Sequence, residues 1–216
     1  MGVKEIIAQR AAKEFQDGMV VNLGFGIPVM AANYIDDGVD VTLQSENGIL
    51  NFGPNAPLGT EDHTICNAAG TPITTANGCS IFDIATSFLI IRGGHVDMTI
   101  LGALEVDQHG NIANWAIPNK EKKYAPGVGG AMDLLTGAKK VVVTTTHTTK
   151  DGSSKIKKDC IMPLSAKGAV DRIITELAVM DVTDKGLVLK EVMPGVSVEH
   201  VVECTDAELI VPEGLK

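Results

Sequence analysis

The residues from Met19 to Leu43 constrain the fold more than any other stretch of this chain. MVVNL (19–23) is a short valine-rich run, the composition of a strand buried on both faces. GFGIP (24–28) follows, and VMAANYI (29–35) reads as a helix with Pro28 near its first position, where a missing N–H is no loss. VDVTL (39–43) is again a strand. Strand, glycine loop, helix and strand in that order make a βαβ unit, and a crossover helix leaves its two strands parallel.

The flanking segments extend that unit. Val3, Ile7, Ala11 and Phe15 recur at four-residue steps, which predicts an amphipathic helix over 3–16 closed by Gly18. DMTILGALEVD (97–107) reads as a strand with a small-residue break at Gly102-Ala103, and QHGNIANW (108–115) as a hairpin turning at Gly110-Asn111. GVGGAMDLLTGAKK (127–140) is a glycine loop entering a short helix. KVVVTTTHTT (140–149) is dominated by β-branched residues and predicts a strand, followed by a basic loop over 150–159. AVDRIITELAVMDV (169–182) begins as a helix, GLVLKEVM (186–193) is a strand, and VSVEHVVECTD (196–206) a short final helix. No linker, repeat or low-complexity tract interrupts the chain. The expectation is one α/β domain over 1–216, an open, mostly parallel sheet with helices on both faces.

Composition narrows the function classes. Lys and Arg number 18 against 27 Asp and Glu, a net charge of −9, which argues against nucleic acid as a partner. The longest apolar runs fall short of the roughly 20 residues a membrane helix needs. MGVKEIIAQRAAKEFQ is charged throughout, so no secretory leader is expected, and the Ser or Thr of a myristoylation signal is missing. Cys66, Cys79, Cys160 and Cys204 stand alone, with neither disulfide nor zinc spacing, and a reduced cytoplasmic setting follows as the expectation.

Three features can carry chemistry. In NLGFGIP a strand runs through Gly24 and Gly26 into a helix, the usual way to bring backbone N–H groups to an anion. The dinucleotide fingerprint fails, because Val29 stands where a third glycine belongs, and a plain tight turn remains open. In GVGGAMD, Gly127, Gly129 and Gly130 precede a helix and can turn N–H groups toward a ligand or an oxyanion, or form a flexible loop. In VTLQSENGIL, Glu46 follows an apolar strand beside Asn47-Gly48. Either it is a solvated turn, or the strand tip presents a carboxylate where open α/β sheets bind ligands, as a base or nucleophile. His63, His95, His109, His147 and His200 show no metal spacing and read as structural, and no serine-hydrolase elbow is present. The lysines at 150, 155, 157 and 158 make a solvated loop, or one that meets a phosphate tail.

SENGIL (45–50), IRGGHVD (91–97), LGALEVD (101–107), NIANW (111–115) and GVGGAMDL (127–134), in this order, resemble the β subunit of family I CoA-transferases, the 3-oxoacid, acetoacetate/butyrate and 3-oxoadipate enzymes. The resemblance runs over roughly residues 4–205. It implies the open α/β sheet shared with sugar-phosphate isomerases. It implies that Glu46 forms a glutamyl-CoA thioester, that Asn22 and the Gly130 N–H serve the oxyanion, and that Gly24, Gly26, Gly129 and Gly130 lie near CoA. CoA would be substrate, with no separate cofactor and no metal. The donor would be an acyl-CoA such as succinyl-, acetyl- or butyryl-CoA, and the acceptor a carboxylic or 3-oxo acid such as acetoacetate, in ping-pong order. The partner would be an α subunit, the working form a heterotetramer, with no nucleic acid and no membrane involved. Two departures fall near the implied site: 119–126, NKEKKYAP, is longer than in the family, and LGTEDHTICNAAGTPIT (58–74) differs from the segment of the 3-oxoacid members. An isomerase using Glu46 as base, and a non-catalytic ligand sensor, are the rival readings on the same fold.

Overall fold

A computed structural model describes residues 2–117 and 127–215. Helix α1, Val3–Ala12, buries Ile7, Ala8, Ala11 and Ala12, and Phe15 just beyond it joins them, whereas Val3 is 47% exposed. The four-residue apolar step is therefore a core face from its second member onward. Burying side chains the size of Ile7 or Phe15 stabilises the fold by about 1.5–3 kcal/mol each. Strand β1 is Met19–Leu23, α2 is one turn over Ile27–Met30 tightened into a 3₁₀ turn over Ala31–Tyr34, and β2 is Val41–Ser45. β1 and β2 pair in parallel, with Asn22 beside Gln44, so the βαβ opening is as expected.

β3 (Ile49–Asn55) then extends the sheet antiparallel to β2, and β4 (Ile73–Ile81) antiparallel to β3. The chain returns through α3 (Ile84–Arg92), whose N-terminus is capped by Asp83 accepting from the Thr86 N–H at 2.8 Å. β5 (Met98–Gly102), β6 (Glu105–Asp107), β7 (Ile112–Ala113), α4 (Ala131–Gly137), β8 (Val141–Thr144) and β9 (Ile156–Lys157) follow. β10 (Arg172–Ile174), β11 (Ala178–Thr183), β12 (Gly186–Val192), α5 (Val198–Cys204) and β13 (Leu209–Ile210) complete the chain. Among the described residues the strands form a ten-stranded sheet, β13-β12-β11-β10-β8-β5-β1-β2-β3-β4, and a small sheet, β7-β6-β9. β10, β8, β5, β1 and β2 are mutually parallel and form its centre. β2 lies on one side of β1 and β5 on the other, so the winding reverses at β1, where such sheets open a crevice at their carboxyl ends.

Alternate residues of the central strands face opposite layers. Val21, Met98, Ile100, Val142 and Ile174 meet Ile7, Ala11 and Phe15 on the α1 side. Leu101, Val141, Val143 and Ile173 meet Ile91 of α3, Leu134 and Leu135 of α4, the small sheet and Val201 of α5 on the other. Helices thus cover both faces. At the end of the α1 segment Glu14, 6% exposed, accepts from Arg10, Lys140 and Arg172, each at 2.8 Å, which ties the helix to β8 and β10. No helix among the described residues is long and apolar enough to cross a membrane.

Two expectations need correction. Residues 169–182 do not begin as a helix: they supply β10 and β11, an antiparallel pair with Ile173 opposite Met180. Thr175 makes the turn, its Oγ accepting from the N–H groups of Leu177 and Ala178. Ile173, Ile174, Val179 and Met180 are all fully buried, so both faces of this pair are apolar and the run carries no strand alternation to read. The strand expected over 140–149 ends at Thr144, after which the Thr145 and Thr146 hydroxyls bond to the Ala103 and Thr148 carbonyls and fold the chain into a loop. The segment 119–126 lies outside the described residues.

Candidate active site

The carboxyl ends of β1 and β2 hold a cavity of about 610 Å³, walled by Leu23–Phe25, Gln44–Glu46, Phe52–Asn55 and the lip Asn67–Ala69. Glu46 reaches it from a tight hairpin. Ser45 pairs with Ile49, which leaves Glu46, Asn47 and Gly48 as the whole loop, and the Gly48 N–H donates to the Ser45 carbonyl at 3.0 Å. Gly48 has φ 114°, and a Cβ there would lie 2.1 Å from the Phe82 carbonyl oxygen, so only glycine fits. Asn47 points away and donates to the Cys66 carbonyl at 2.7 Å, while the Ser45 hydroxyl accepts from the Ala68 N–H at 2.9 Å. These two bonds fasten the lip to the hairpin. The hairpin is therefore fixed on both sides, and Glu46 at its tip is half-buried.

Asn22 stands one strand away, 1% exposed in the middle of β1. Its Nδ2 donates to Gln44 Oε1 at 2.7 Å, to the Gln44 carbonyl at 3.1 Å and to Glu46 Oε2 at 3.2 Å. An amide ringed by three acceptors has its orientation decided. Gly130 closes the other side. A Cβ built on it would lie 3.4 Å from Glu46 Cγ, 3.6 Å from Glu46 Oε1 and 3.3 Å from the Phe88 ring. Gly130 immediately precedes α4, where the first N–H groups have no acceptor inside the helix. The structure thus brings Asn22, Glu46 and Gly130 together around one carboxylate.

The other glycines are placed less intimately. Gly24 lines the cavity, but its lack of a side chain is also required by packing, since a Cβ would sit 3.0 Å from Leu101 Cδ2 and 3.2 Å from the Ile100 carbonyl oxygen. Gly26 lies beyond Phe25 against a second hollow, and Gly129 is exposed beside Gly130. Phe25 itself is 82% exposed at the cavity mouth. His147 is structural, as read: fully buried, it bonds Thr175 and Thr205 through its two ring nitrogens, each at 2.9 Å. Burial, with the nearby His200, pushes its pKa down to about 4. Lys155 of the basic loop turns inward to donate to Thr146 at 2.8 Å, and burial lowers its pKa. Lys158 pairs with Glu208 at the surface.

Two residues at the site escaped sequence reasoning. Gln44, 1% exposed, donates from Nε2 to Ser87 Oγ at 2.9 Å, and Ser87 is fully buried on α3. The signal was present: a glutamine inside an apolar strand, and a serine within the apolar helix IATSFLII. A polar side chain in such a place needs a buried partner.

Comparison with known proteins adds to this geometry. A sequence model of the family "Coenzyme A transferase" matches residues 4–204. The B subunit of the probable succinyl-CoA:3-ketoacid coenzyme A transferase from Bacillus subtilis is 49% identical over 97% of this chain and 95% of its own length. The beta subunit of the acetate CoA-transferase from Haemophilus influenzae is 49% identical over 100% of this chain and 95% of its own. Among solved structures, the acyl-CoA transferase apoenzyme of Escherichia coli O157:H7 matches the whole chain with TM-score 0.78 and 26% identity. The same enzyme in a thioester complex with CoA matches with TM-score 0.75 and 25% identity. This chain spans only 43% of that longer chain in each case.

Proposed function

This chain belongs to the coenzyme A transferase family, and from that premise we propose that it is the catalytic β half of a CoA-transferase working through a glutamyl-CoA thioester on Glu46. The observation that carries the reading is the half-buried Glu46 carboxylate at a strand tip, with Asn22 Nδ2 at 3.2 Å on one side and the side-chain-free Gly130 on the other. One Glu46 oxygen attacks the thioester carbonyl carbon of an acyl-CoA. The tetrahedral adduct collapses with cleavage of the C–S bond, giving a mixed anhydride and CoA thiolate. The thiolate then attacks the Glu46 carbonyl carbon, the anhydride C–O bond breaks, the donor acid leaves as carboxylate, and Glu46 carries CoA as thioester. An acceptor carboxylate reverses these steps.

Each tetrahedral adduct holds an oxyanion, and a donor aimed at it is worth about 3–4 kcal/mol. Asn22 Nδ2 and the Gly130 N–H are assigned that role. Gly24 and Gly26, with Gly129 and Gly130, border the path of CoA. The α half closes the cavity and keeps water from the anhydride and thioester. A phenyl ring as exposed as Phe25 beside the cavity is suited to burial by that partner. The subunit names of the relatives above and the longer E. coli O157:H7 chain favour the same arrangement, and a thioester complex of that longer enzyme favours the chemistry. The enzyme is assigned to the cytoplasm as an α/β hetero-oligomer, with a short acyl-CoA as donor and a carboxylic or 3-oxo acid as acceptor. The test is isotope exchange in the reconstituted α/β pair. Labelled acid should enter acyl-CoA without a second acceptor present, and the pair should give parallel double-reciprocal lines. Exchange that persists in Glu46→Ala would refute the assignment.

A further inference from the structure

We propose that Gln44, held by Ser87, is a positioning residue that sets the direction of the Asn22 amide and so readies Glu46 for attack. The inference rests on Glu46 being the covalent centre. Asn22 Nδ2 carries two hydrogens and faces three acceptors. The shortest contact, 2.7 Å to Gln44 Oε1, commits one hydrogen. The other is shared between the Gln44 carbonyl at 3.1 Å and Glu46 Oε2 at 3.2 Å, longer bonds with poorer hold. This second hydrogen is the one able to follow the reaction, from the carboxylate oxygen to an oxyanion formed beside it.

The committed hydrogen depends on which end of the Gln44 amide faces Asn22. The Ser87 hydroxyl directs its hydrogen at the Ser45 carbonyl, 3.5 Å away, which leaves Oγ to accept from Gln44 Nε2 at 2.9 Å and turns Oε1 toward β1. Were the Gln44 amide reversed, two NH₂ groups would face each other in a site that is 1% exposed at both residues, and Asn22 would have to turn away from Glu46. The order Ser87, Gln44, Asn22, Glu46 therefore runs from α3 across β2 to β1 and back to the β2 hairpin. Among the described residues Asn22 Oδ1 has no hydrogen-bond partner, so no second bond competes there to fix the amide, and its orientation rests on its Nδ2 contacts.

The test uses Gln44→Leu and Ser87→Ala, each alone and combined with Asn22→Ala, in the complex with the α half. Rapid-quench mass spectrometry of the CoA adduct on Glu46 gives the acylation rate, steady-state exchange gives KM, and thermal melting reports folding. Gln44→Leu should slow adduct formation about ten- to a hundredfold, the scale of a small misplacement of a reacting group, with KM for acyl-CoA changed less than about twofold. Ser87→Ala should slow it about three- to tenfold, a fraction of that misplacement because Gln44 remains. In the Asn22→Ala background neither change should slow it further, because both act through that amide. Losses that multiply on the Asn22→Ala background, or a wild-type rate in folded Gln44→Leu, would overturn the inference. Should Gln44→Leu fail to fold, Ser87→Ala decides by the same comparison. A wild-type complex that transfers CoA with no adduct would instead overturn the covalent reading, and this inference with it.

Discussion

Replacing Gly48 with alanine couples the fold to the chemistry at a single atom. The new Cβ would lie 2.1 Å from the Phe82 carbonyl oxygen, on the chain entering α3. The clash is with backbone, so no rotamer relieves it. Reaching ordinary contact at 3.4 Å requires the hairpin and the start of α3 to part by about 1.3 Å. Holding alanine at φ 114° costs about 1–3 kcal/mol. The parting also weakens the bond from the Phe82 N–H to the Gly48 carbonyl, now 2.9 Å, at about 1 kcal/mol. Together the change should lower stability by about 2–4 kcal/mol, a large share of what a typical domain has. Glu46 is two residues away on the same three-residue loop, and a shift on the order of 1 Å should slow exchange about 10²-fold. Urea unfolding followed by circular dichroism measures the first effect, and carboxylate exchange in the α/β pair, at a temperature where the variant is folded, measures the second. Asn47→Ala is the companion: it keeps the backbone, loses only the bond to the Cys66 carbonyl, and should cost about 1 kcal/mol. A Gly48→Ala protein within about 1 kcal/mol of wild type and within about threefold of its rate would refute the hairpin's role.

Gly130→Val should cut exchange about 10²-fold or more, because its Cβ meets Glu46 and the Phe88 ring, with thermal melting to show that the variant is folded; full activity of the folded variant would remove Gly130 from the oxyanion assignment. Glu14 is raised by burial but lowered more by hydrogen bonds from Lys140, Arg10 and Arg172, which bring its pKa to about 2 from 4.5. Its stabilisation is complete above pH 4.5 and fades as pH falls toward 2, about 3 kcal/mol in all, so Glu14→Gln should flatten that limb of a stability–pH curve and lower stability at pH 7 by a similar amount. His147 is the complementary case: its pKa falls from 6.5 to about 4 in the folded chain, so the unfolded chain takes the proton first. Stability should be full above pH 6.5 and drop by about 3 kcal/mol as pH falls to 4, a slope that His147→Gln should abolish.

Much of the scaffold was legible because its periodicities are local. The βαβ opening, the α1 core face, the break at Gly102-Ala103 and the turn at Gly110 all stand where the sequence pattern puts them. The hairpin of β10 and β11 did not show itself, because strands buried on both faces are apolar at every position and lose the alternation that separates strand from helix. Glu46 was legible only as an open choice. Read locally it is an acidic turn or a presented carboxylate, and the resemblance of SENG and GGAMDL supplied the role proposed for it. Gln44 and Ser87 show in the sequence only as polar residues within apolar runs: their pairing depends on a register, Asn22 beside Gln44, and on α3 returning over β2, neither of which is written in adjacent residues.

The most direct test of the covalent role of Glu46 is the mass of the peptide that carries it. The α/β pair is mixed with acyl-CoA and no acceptor, quenched in acid, digested and analysed over residues 44–50, with a parallel sample treated with borohydride. The expected result is a CoA-sized adduct on Glu46, its conversion to the reduced side chain by borohydride, and neither product in Glu46→Gln. An active pair whose 44–50 peptide stays unmodified would contradict it.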